Sequence, residues 1–387
     1  MANRYLIVGS GFSGCVLANC LVNKTGCSIL IIDEREHIGG NCHTSRDAET
    51  GVMLHHYGPH IFNTDKKEIW DYVNSFGELR PYVHRVKAIS NGKVYPLPVN
   101  LMTINQFFNK QFNPEEAQNF LALQADKRIT AAANFEEQAL QFIGEGLYRA
   151  FFYGYTKKQW GCEPSELPAS ILKRIPVRFN YDDNYHNNLY TGIPVDGYTA
   201  IMQRMIDHPG IQVSLNTAFK PGIDDVSGYD HVFYTGPIDA YFRYNAGKLG
   251  YRTVTFEKHY ASGDYQGTAQ MNYCDESIPY TRIAEHKHFT PWEQHEKTVY
   301  FKEYSKETGE GDQPYYPKRL SEDKQILQQY RKQALLLKGV SFLGRLATYR
   351  YMDMHHVIGE AIEFADTFVS CLESNRPLPV FSNEEND

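Results

Sequence analysis

The stretch RYLIVGSGFSG, residues 4–14, decides the fold. Residues 5–8 predict a short buried strand, and the glycines that follow have the G-x-G-x-x-G spacing. This spacing lets a chain turn sharply out of a strand, approach a pyrophosphate with its backbone and pack the next helix closely on the sheet. The helix predicted over residues 13–23 directs its N-terminal amides at the phosphates. The stretch therefore predicts a dinucleotide-binding unit.

The sequence after the glycines supports this interpretation. A second strand is predicted over residues 28–32 and ends at Asp33, 19 residues beyond Gly14 and near the distance expected for an acid that binds ribose. Residues 33–44 then have the pattern D-x5-G-G-x3-T. This pattern resembles the extended fingerprint of a large family of FAD proteins that includes the amine oxidases. The alternative, an ordinary glycine turn beside a solvated Asp33, is disfavoured by the order strand, turn, helix, strand, acid.

The composition is that of an ordinary globular protein. The chain has 387 residues, of which 42% are hydrophobic and 22% charged, so it is long enough for two or three domains. Its 39 Lys and Arg against 46 Asp and Glu give a net charge of −7, which argues against a nucleic-acid or anionic-membrane partner. No apolar run approaches the roughly 20 residues that span a bilayer, and the N-terminus begins a strand. We therefore expect a cytoplasmic protein without membrane insertion.

The cysteines and histidines do not predict a metal site. The seven cysteines are odd in number, scattered and without a C-x-x-C pair, so we expect reduced thiols. His56 and His60 have a spacing that would suit a metal on a helix, but Gly58 and Pro59 break any helix between them. We expect this segment to form a turn with His60 facing the cofactor.

The order of predicted elements indicates an α/β fold: a discontinuous Rossmann-like FAD-binding domain with a helical insert and an antiparallel-sheet substrate domain. Strands predicted over 211–215 and 231–234 resemble later strands of an FAD domain, whereas Asn91-Gly92 between apolar runs predicts a hairpin. The predicted domains are 1–80, 205–245 and 335–387 for FAD binding, 101–180 for the helical domain, and 81–100, 181–204 and 246–334 for the antiparallel domain.

An aromatic segment lies at residues 148–168, where several rings crowd around Gly154 and Gly161. One interpretation is a packed corner of the core. The other is a mobile lid, because the two glycines could act as hinges while Lys157 and Lys158 keep one side in water. The sequence pattern leaves both interpretations open.

Six segments and one asparagine resemble the UDP-galactopyranose mutase family, and the match runs from the first strand to Val369. They are YGPHIF at 57–62, YGYTKKQWG at 153–161, RIPVRFNYDDNY at 174–185, Asn272, PYTR at 279–282, PYYP at 314–317 and GRLATYRYMDM at 344–354. Such a set in this order is highly specific. It favours a functional role for Arg174 and for the aromatic lid.

The resemblance implies a redox-neutral isomerase that interconverts UDP-galactopyranose and UDP-galactofuranose with reduced FAD. In the family, the flavin N5 attacks the anomeric carbon, forms a sugar adduct and expels the nucleotide diphosphate. The ring opens through an iminium, recloses through its other hydroxyl, and the diphosphate returns. The protein mainly has to orient the substrate, neutralise charge and exclude water. An external reductant such as NAD(P)H and a homodimer are further expectations.

Two arginines suit a departing pyrophosphate, because bidentate guanidinium donors stabilise charge that grows in the transition state. Arg174 and Arg282 are therefore the expected catalytic pair. The resemblance adds His60 near the flavin N5, where its protonation could follow the flavin redox state. Substrate contacts, with tyrosines donating to phosphate oxygens and Trp160 near the sugar, are implied for His84, Phe151, Tyr155, Thr156, Trp160, Arg174, Tyr185, His186, Asn272, Arg282, Tyr315, Tyr316 and Tyr351.

The cofactor residues combine the glycine fingerprint with positions implied by the resemblance. Helix amides starting at Asp353 and Met354 would stabilise the anionic reduced flavin. The full set is Gly9, Gly11, Phe12, Ser13, Gly14, Asp33, Glu34, Gly40, Asn41, His60, Ile61, Phe219, Arg345, Tyr351, Asp353 and Met354.

Three positions depart from the family's usual pattern. Asn63, His84 and His186 stand where the family has a histidine, an asparagine and an aromatic ring. Because all three would lie near cofactor or substrate, they leave open a related sugar nucleotide, such as an N-acetylated or 6-deoxy hexose. His186 can still stack on a base.

Two other classes of protein compete with the mutase. A flavin oxidoreductase resembling the amine oxidases would need an apolar substrate tunnel and no paired phosphate-binding arginines. A catalytically idle nucleotide-sugar binding protein would bind flavin and ligand without turnover.

The charge argument predicts that Arg174→Ala lowers activity by at least about 100-fold, the scale seen when one donor to a developing anion is removed. The variant should remain a folded, yellow flavoprotein, as its visible spectrum would show. Near-normal turnover would contradict the assigned role.

Overall fold

The computed structural model describes residues 3–169 and 177–382. The strands in these ranges are β1 (Arg4–Val8), β2 (Ser28–Ile32), β3 (Thr44–Arg46), β4 (Met53–His55), β5 (Phe62–Thr64), β6 (Leu79–Pro81), β7 (Val86–Ser90), β8 (Lys93–Leu97), β9 (Tyr190–Pro194), β10 (Ile211–Ser214), β11 (His231–Tyr234), β12 (Tyr251–Ser262), β13 (Gln270–Tyr273), β14 (Arg282–Glu285), β15 (Lys297–Glu307), β16 (Tyr316–Pro317) and β17 (Val340–Phe342). The α-helices are α1 (Phe12–Thr25), α2 (Lys67–Asn74), α3 (Leu101–Phe108), α4 (Pro114–Gln124), α5 (Phe135–Leu147), α6 (Gly154–Trp160), α7 (Gly197–Met205), α8 (Ile238–Tyr241), α9 (Ser321–Ala334), α10 (Gly344–Ala347) and α11 (Met354–Glu373).

A five-stranded parallel sheet forms the Rossmann-like part of the molecule. Its order is β10-β2-β1-β11-β17, so strands from three separate parts of the chain are neighbours. The central strand β1 is buried at three successive positions, as expected for a strand with helices on both faces. The expected α/β fold is confirmed.

One face of this sheet is covered by α1, α7 and α11. Leu17, Met202 and Phe368, one from each helix, are buried in the same hydrophobic core. The other face packs against α9 through Tyr330 and Ala334. Both α7 and α9 thus bury their apolar sides on the parallel sheet, although the predicted division assigns most of each to the antiparallel domain. That division into domains stays a prediction. The packing argues that α7 and α9 belong to the FAD-binding domain, which would move the boundaries predicted at 204/205 and 334/335 to positions before each helix.

The second large sheet has seven strands in the order β16-β12-β15-β14-β13-β7-β8. All its neighbours are antiparallel except β13 and β7. The predicted hairpin joins β7 to β8, with Asn91 and Gly92 at φ 51° and 72°. Positive φ at both central residues is what a two-residue turn between twisted strands requires. This hairpin is therefore confirmed.

The helices α3 to α6 form a layer with its own apolar core on the β8 side of the second sheet. A π-helix, Tyr148–Tyr153, connects α5 to α6. In the sequence, Asn113-Pro114-Glu115-Glu116 predicts a helix start, with a cap, a proline at the first position and acids in the first turn. The structure confirms it, since the Asn113 side chain accepts from the Glu116 amide and Pro114 is the first helical residue.

The aromatic segment forms a packed corner at Gly154 and Lys158. Gly154 has ordinary helical dihedrals, and a Cβ there would lie 2.4 Å from the Cys274 carbonyl oxygen, so close packing explains this glycine. Burial lowers the pKa of the Lys158 ammonium to about 8. The expectation that Lys158 stays in water is wrong, because Nζ donates over 2.7–3.2 Å to the carbonyls of Tyr273, Asp275, Ile278 and Tyr280.

The seven cysteines are all free thiols, and five of them are buried. Within 3–169 and 177–382, no helix is long and apolar enough to cross a bilayer.

A buried histidine in β11 gives a prediction for stability against pH. His231 lies between Phe233 and Phe368, with Nε2 2.8 Å from the Ser341 hydroxyl. Burial lowers its pKa to about 4, so between pH 6.5 and pH 4 the unfolded chain binds a proton that the folded chain does not. The free energy of unfolding should therefore fall as the pH drops through this window, by up to about 1.4 kcal/mol per pH unit for this proton.

In His231→Phe this part of the slope should disappear. Urea unfolding at several values between pH 7 and pH 4.5 measures it. An unchanged slope in the variant would show that His231 does not contribute to the pH dependence.

Candidate active site

The glycine fingerprint forms a tight turn between β1 and α1. Gly9 has φ 106° and its amide donates to the Ile32 carbonyl over 2.8 Å, which ties the turn to the end of β2. A Cβ on Gly14 would lie 2.0 Å from the Gly9 carbonyl oxygen. Only glycine fits at this position, and its absence of a side chain lets α1 start directly against the turn with its amides at the carboxyl end of the sheet.

The two predicted acids at the end of β2 have different surroundings. One oxygen of Asp33 accepts from both the amide and the hydroxyl of Ser10, at 2.8 and 2.7 Å. Asp33 therefore fixes the glycine turn as well as ending the strand. Glu34 lines an open cleft of about 710 Å³, together with Arg35, Glu36, His37, His43, Ser45, His56, Tyr57 and Gln313.

The second glycine pair closes on the first turn. Gly39 and Gly40 have φ 104° and 54°, and a Cβ on Gly40 would lie 3.2 Å from Gly11 Cα. Thr44, the last residue of the pattern, exchanges hydrogen bonds with Thr199 at the start of α7. The pattern thus brings a second loop to the glycine turn and anchors that loop on a helix.

Arg35 is a site residue that the sequence analysis missed. Its Nη2 donates to Asn41 and Gln313, and its guanidinium lies 4.7 Å from the Tyr57 ring centre. Its Nη1 is buried and has no hydrogen-bond partner within the described ranges. A phosphate or ribose oxygen of a dinucleotide would satisfy this atom. Together with the side-chain-free surface of the two glycine turns, this orphaned donor fits a bound flavin dinucleotide.

Arg345 and the start of α11 lie at the same end of the sheet. Gly344 packs on α1, since a Cβ there would lie 2.2 Å from Ser13 Oγ. Arg345 donates to the carbonyl of Met352, and its guanidinium lies 5.3 Å from the centre of the Tyr351 ring. The 20-residue helix α11 starts after Asp353, whose side chain makes no capping hydrogen bond, so the first amides of the helix remain available as donors at this end of the sheet.

His60 follows the predicted glycine-proline turn. Gly58 has φ 91° and its carbonyl accepts from His60 Nδ1 over 2.7 Å, which leaves Nε2 as the other, unprotonated ring nitrogen. Burial lowers the pKa of His60 to about 4, and the positive charges of Arg345 and Arg282 act in the same direction. His60 is therefore neutral near pH 7 in this arrangement. That its protonation could follow the flavin redox state stays a prediction.

Arg282 is paired with a carboxylate that sequence reasoning did not identify. Its Nε donates to Glu303 over 2.6 Å, from opposite residues of β14 and β15. Burial by itself would lower the pKa of the guanidinium, but the Glu303 carboxylate raises it, so Arg282 remains charged. A Cβ on Gly58 would lie 3.6 Å from Arg282 Nη2, so the His60 turn rests on this arginine.

Three predicted tyrosines lie close enough to Arg282 for its charge to lower their pKa: Tyr155, Tyr185 and Tyr316. The Tyr316 ring stacks on a fourth, Tyr351, at 5.7 Å. Burial outweighs this effect and raises the pKa of Tyr155 and Tyr316, the latter to about 12, and partial burial also raises the pKa of Tyr185, which is 39% exposed. The three hydroxyls therefore stay protonated and can donate hydrogen bonds to an anion.

Of the three departures, His84 and His186 lie together. Their rings stack at 6.1 Å, and the His84 ring also meets Tyr185 edge-on at 5.6 Å. Burial lowers the pKa of His186, which the Asp353 carboxylate raises. Asn63, in β5, instead donates to the Ile61 carbonyl just before the strand.

The structure does not bring every predicted residue to the Arg282 cluster. The Phe151 ring is 4% exposed and packs on Tyr95 at 5.0 Å, inside the core of the helical layer. Thr156 is also buried, and Trp160 packs partly against that core. Phe219 lies against the parallel sheet, 6.2 Å from the Tyr234 ring. Arg174 falls outside the described residues.

The fold and these side chains define a class of protein: a Rossmann-like dinucleotide-binding protein whose second sheet carries a charged arginine with tyrosines close to it. Residues 7–76 match the model of the NAD(P)-binding Rossmann-like domain, and residues 150–351 match the UDP-galactopyranose mutase model. The chain belongs to the UDP-galactopyranose mutase family, whose members are isomerases.

Two curated relatives cover nearly the whole chain. A probable UDP-galactopyranose mutase of Klebsiella pneumoniae is 53% identical over 97% of each chain. A dTDP-fucopyranose mutase of Escherichia coli is 50% identical over 95% of this chain and 98% of the relative. The two relatives are named for different sugar nucleotides and are almost equally similar to this chain.

Solved structures support the fold. A reduced UDP-galactopyranose mutase superposes with a TM-score of 0.76 at 16% identity, over 95% of this chain and 96% of the other. A putrescine oxidase superposes with a TM-score of 0.59 at 12% identity, over 96% and 99%. At these identities the superpositions establish the fold alone.

The contact between Gly14 and Gly9 generates a prediction. Gly14→Ala forces a Cβ against a backbone oxygen, so the turn must shift, with a cost on the order of 1–3 kcal/mol in stability. We expect the purified variant to contain much less flavin, measured from its visible absorbance per protein.

Gly228→Ala is the matched control, because Gly228 is exposed and its added Cβ would approach nothing closer than 3.8 Å. It should keep full flavin content. Equal flavin content in Gly14→Ala and Gly228→Ala would contradict the assigned role of the turn.

Proposed function

We propose that the protein interconverts the pyranose and furanose forms of UDP-galactose, with reduced FAD as its cofactor. The observation that carries this proposal is the cluster formed by the Arg282–Glu303 pair, which lies against Gly58 in the His60 turn, and the protonated tyrosines within reach of the Arg282 charge. A cluster of this kind suits an anionic diphosphate beside the cofactor. An oxidase acting on an apolar amine binds no diphosphate in its substrate and would not need such a cluster.

One nitrogen of the Arg282 guanidinium, Nε, already has a hydrogen-bond partner. Because Glu303 holds Nε at 2.6 Å, the two terminal nitrogens are the ones that can reach diphosphate oxygens. The Glu303 carboxylate also offsets the arginine charge, so a departing diphosphate with more than one negative charge needs a second cation. This argument supports Arg174, the other member of the expected pair, as that cation.

The tyrosines supply neutral donors around the same anion. Tyr155, Tyr185 and Tyr316 keep their protons at neutral pH, since full or partial burial raises their pKa values. Preorganised O–H donors stabilise charge that develops on an oxygen without having to reorganise. In this proposal they hold the diphosphate while it is detached from the sugar.

The opposite side of the site has to hold the flavin. Reduced FAD, when bound, supplies the nucleophilic nitrogen that the reaction needs. Arg345 and the amides at the start of α11 would favour an anionic ring system, and Arg35 with the glycine turns would hold the diphosphate of the cofactor. Neutral His60 presents an unprotonated nitrogen towards this side.

A second candidate substrate is a dTDP-linked 6-deoxy hexose. The near-equal identity to the Escherichia coli dTDP-fucopyranose mutase favours it, and the buried His84–His186 stack beside Tyr185 is the place where this chain differs from the family's usual pattern. An N-acetylated hexose is a further member of the same substrate class. The expected homodimer stays a prediction.

Incubation of chemically reduced protein with UDP-galactopyranose should yield the furanose, detected by chromatography. The same assay with dTDP-fucopyranose and with UDP-N-acetylgalactosamine ranks the substrates by kcat/KM, and we expect UDP-galactose to be preferred. A higher kcat/KM for dTDP-fucopyranose would favour the second candidate. Absence of any furanose product, in protein that binds both flavin and ligand, would refute mutase activity.

Arg282→Lys is the informative variant in this assay. It keeps a positive charge and loses the second terminal nitrogen, so kcat should fall by roughly 100-fold or more while flavin content is unchanged. A kcat within about threefold of the wild type would show that the two terminal nitrogens do not bind the diphosphate.

A further inference from the structure

Gln270 is a buried amide between two of the predicted substrate residues. It lies in β13, and its Nε2 donates to Asn272 Oδ1 over 3.0 Å. Its side chain also raises the pKa of the His84 ring, against the larger lowering by burial, as a carbonyl oxygen facing a ring N–H does. His84, Gln270 and Asn272 are 3%, 5% and 7% exposed, so water does not compete for these contacts.

The His84 ring sets the orientation of the Gln270 amide. Burial lowers the pKa of His84 to about 3, so the ring is neutral and carries a single N–H. Since Nδ1 has no partner among the described residues, the contact to Gln270 uses Nε2. An N–H on Nε2 pairs with the Gln270 carbonyl oxygen, which leaves the Gln270 amino group to donate to Asn272.

The Gln270 contact in turn orients Asn272. Because Asn272 Oδ1 accepts from Gln270, the opposite end of that amide, Nδ2, carries the N–H donors away from Gln270. Asn272 is directly opposite Arg282 in the β13–β14 register, so both side chains leave the same face of the sheet. That face carries the Arg282 cluster. The buried chain therefore presents a donor, and not an acceptor, at the site.

We propose that His84 and Gln270 are positioning residues that hold Asn272 as a hydrogen-bond donor to an acceptor oxygen of the bound nucleotide sugar. This inference rests on the proposed function. The acceptor oxygen belongs to the nucleoside diphosphate or to the sugar. A buried donor left unpaired is costly, so the arrangement selects ligands that carry an oxygen at this point over ligands that carry an amino group there.

Calorimetric titration of the oxidised flavoprotein with UDP and with UDP-galactopyranose tests the proposal without turnover. Gln270→Leu removes the amide that orients Asn272 and should raise the Kd of UDP-galactopyranose about tenfold, the loss of roughly one hydrogen bond. The same rise for UDP places the acceptor on the nucleoside diphosphate, whereas a rise for UDP-galactopyranose alone places it on the sugar.

A double-mutant cycle separates positioning from general damage. In the Asn272→Ala background, Gln270→Leu should change neither Kd, because the residue through which it acts is gone. His84→Phe keeps a ring and loses the N–H. It should raise the Kd by a smaller factor than Gln270→Leu, and it too should leave the Kd unchanged in the Asn272→Ala background. An unchanged Kd in Gln270→Leu, or an equal loss in the Asn272→Ala background, would overturn the proposal.

Gln106→Leu makes the same substitution at an exposed position in α3, where the amide donates to the Val94 carbonyl, and should leave both Kd values unchanged. Because the titration needs no reduced flavin and no product, its result is independent of the mutase assay. Protein that binds UDP as the cycle predicts but forms no furanose would refute the proposed function and retain the positioning role.

Discussion

The contact between the Gly14 position and the Gly9 carbonyl is the constraint on which the remaining architecture depends. A Cβ at Gly14 would lie 2.0 Å from that oxygen, so α1 can begin against β1 only if no side chain is present. Gly40 packs against Gly11 in the same turn, and Gly344 packs against Ser13 at the start of α1. Three distant parts of the chain thus converge at one end of the parallel sheet because none has a side chain there.

The second sheet contributes charged side chains to the candidate site, whereas the parallel sheet contributes backbone groups at its glycine turns. Arg282 and Glu303 stand opposite each other in β14 and β15, and the paired carboxylate keeps a buried guanidinium charged and fixed in direction. Burial of an unpaired arginine would be costly, whereas this pair leaves two terminal nitrogens for a ligand. In the proposed function, this partial neutralisation is the reason to expect a second cation at the diphosphate, and Arg174 remains the predicted candidate.

Sequence patterns predicted the local features well. The glycine turn, the Asn91-Gly92 hairpin and the helix start at Asn113 follow from backbone conformations and caps that a few adjacent residues determine. Lys158 shows the limit of this reasoning. Its charge and neighbours predicted a solvated side chain, yet four carbonyls from a β13–β14 connection surround it, and no local pattern reveals a partner more than 100 residues away.

The sequence by itself determined the dinucleotide turn, the α/β class and, by family resemblance, the residues expected at the site. Only the tertiary structure decided which of these residues contact one another and which are buried elsewhere. It paired Arg282 with Glu303, placed Phe151 in the core of the helical layer, and joined Gln270 to Asn272 by a buried hydrogen bond. The physical reason is that strand register and burial fix these relations, and both depend on segments far apart in the chain.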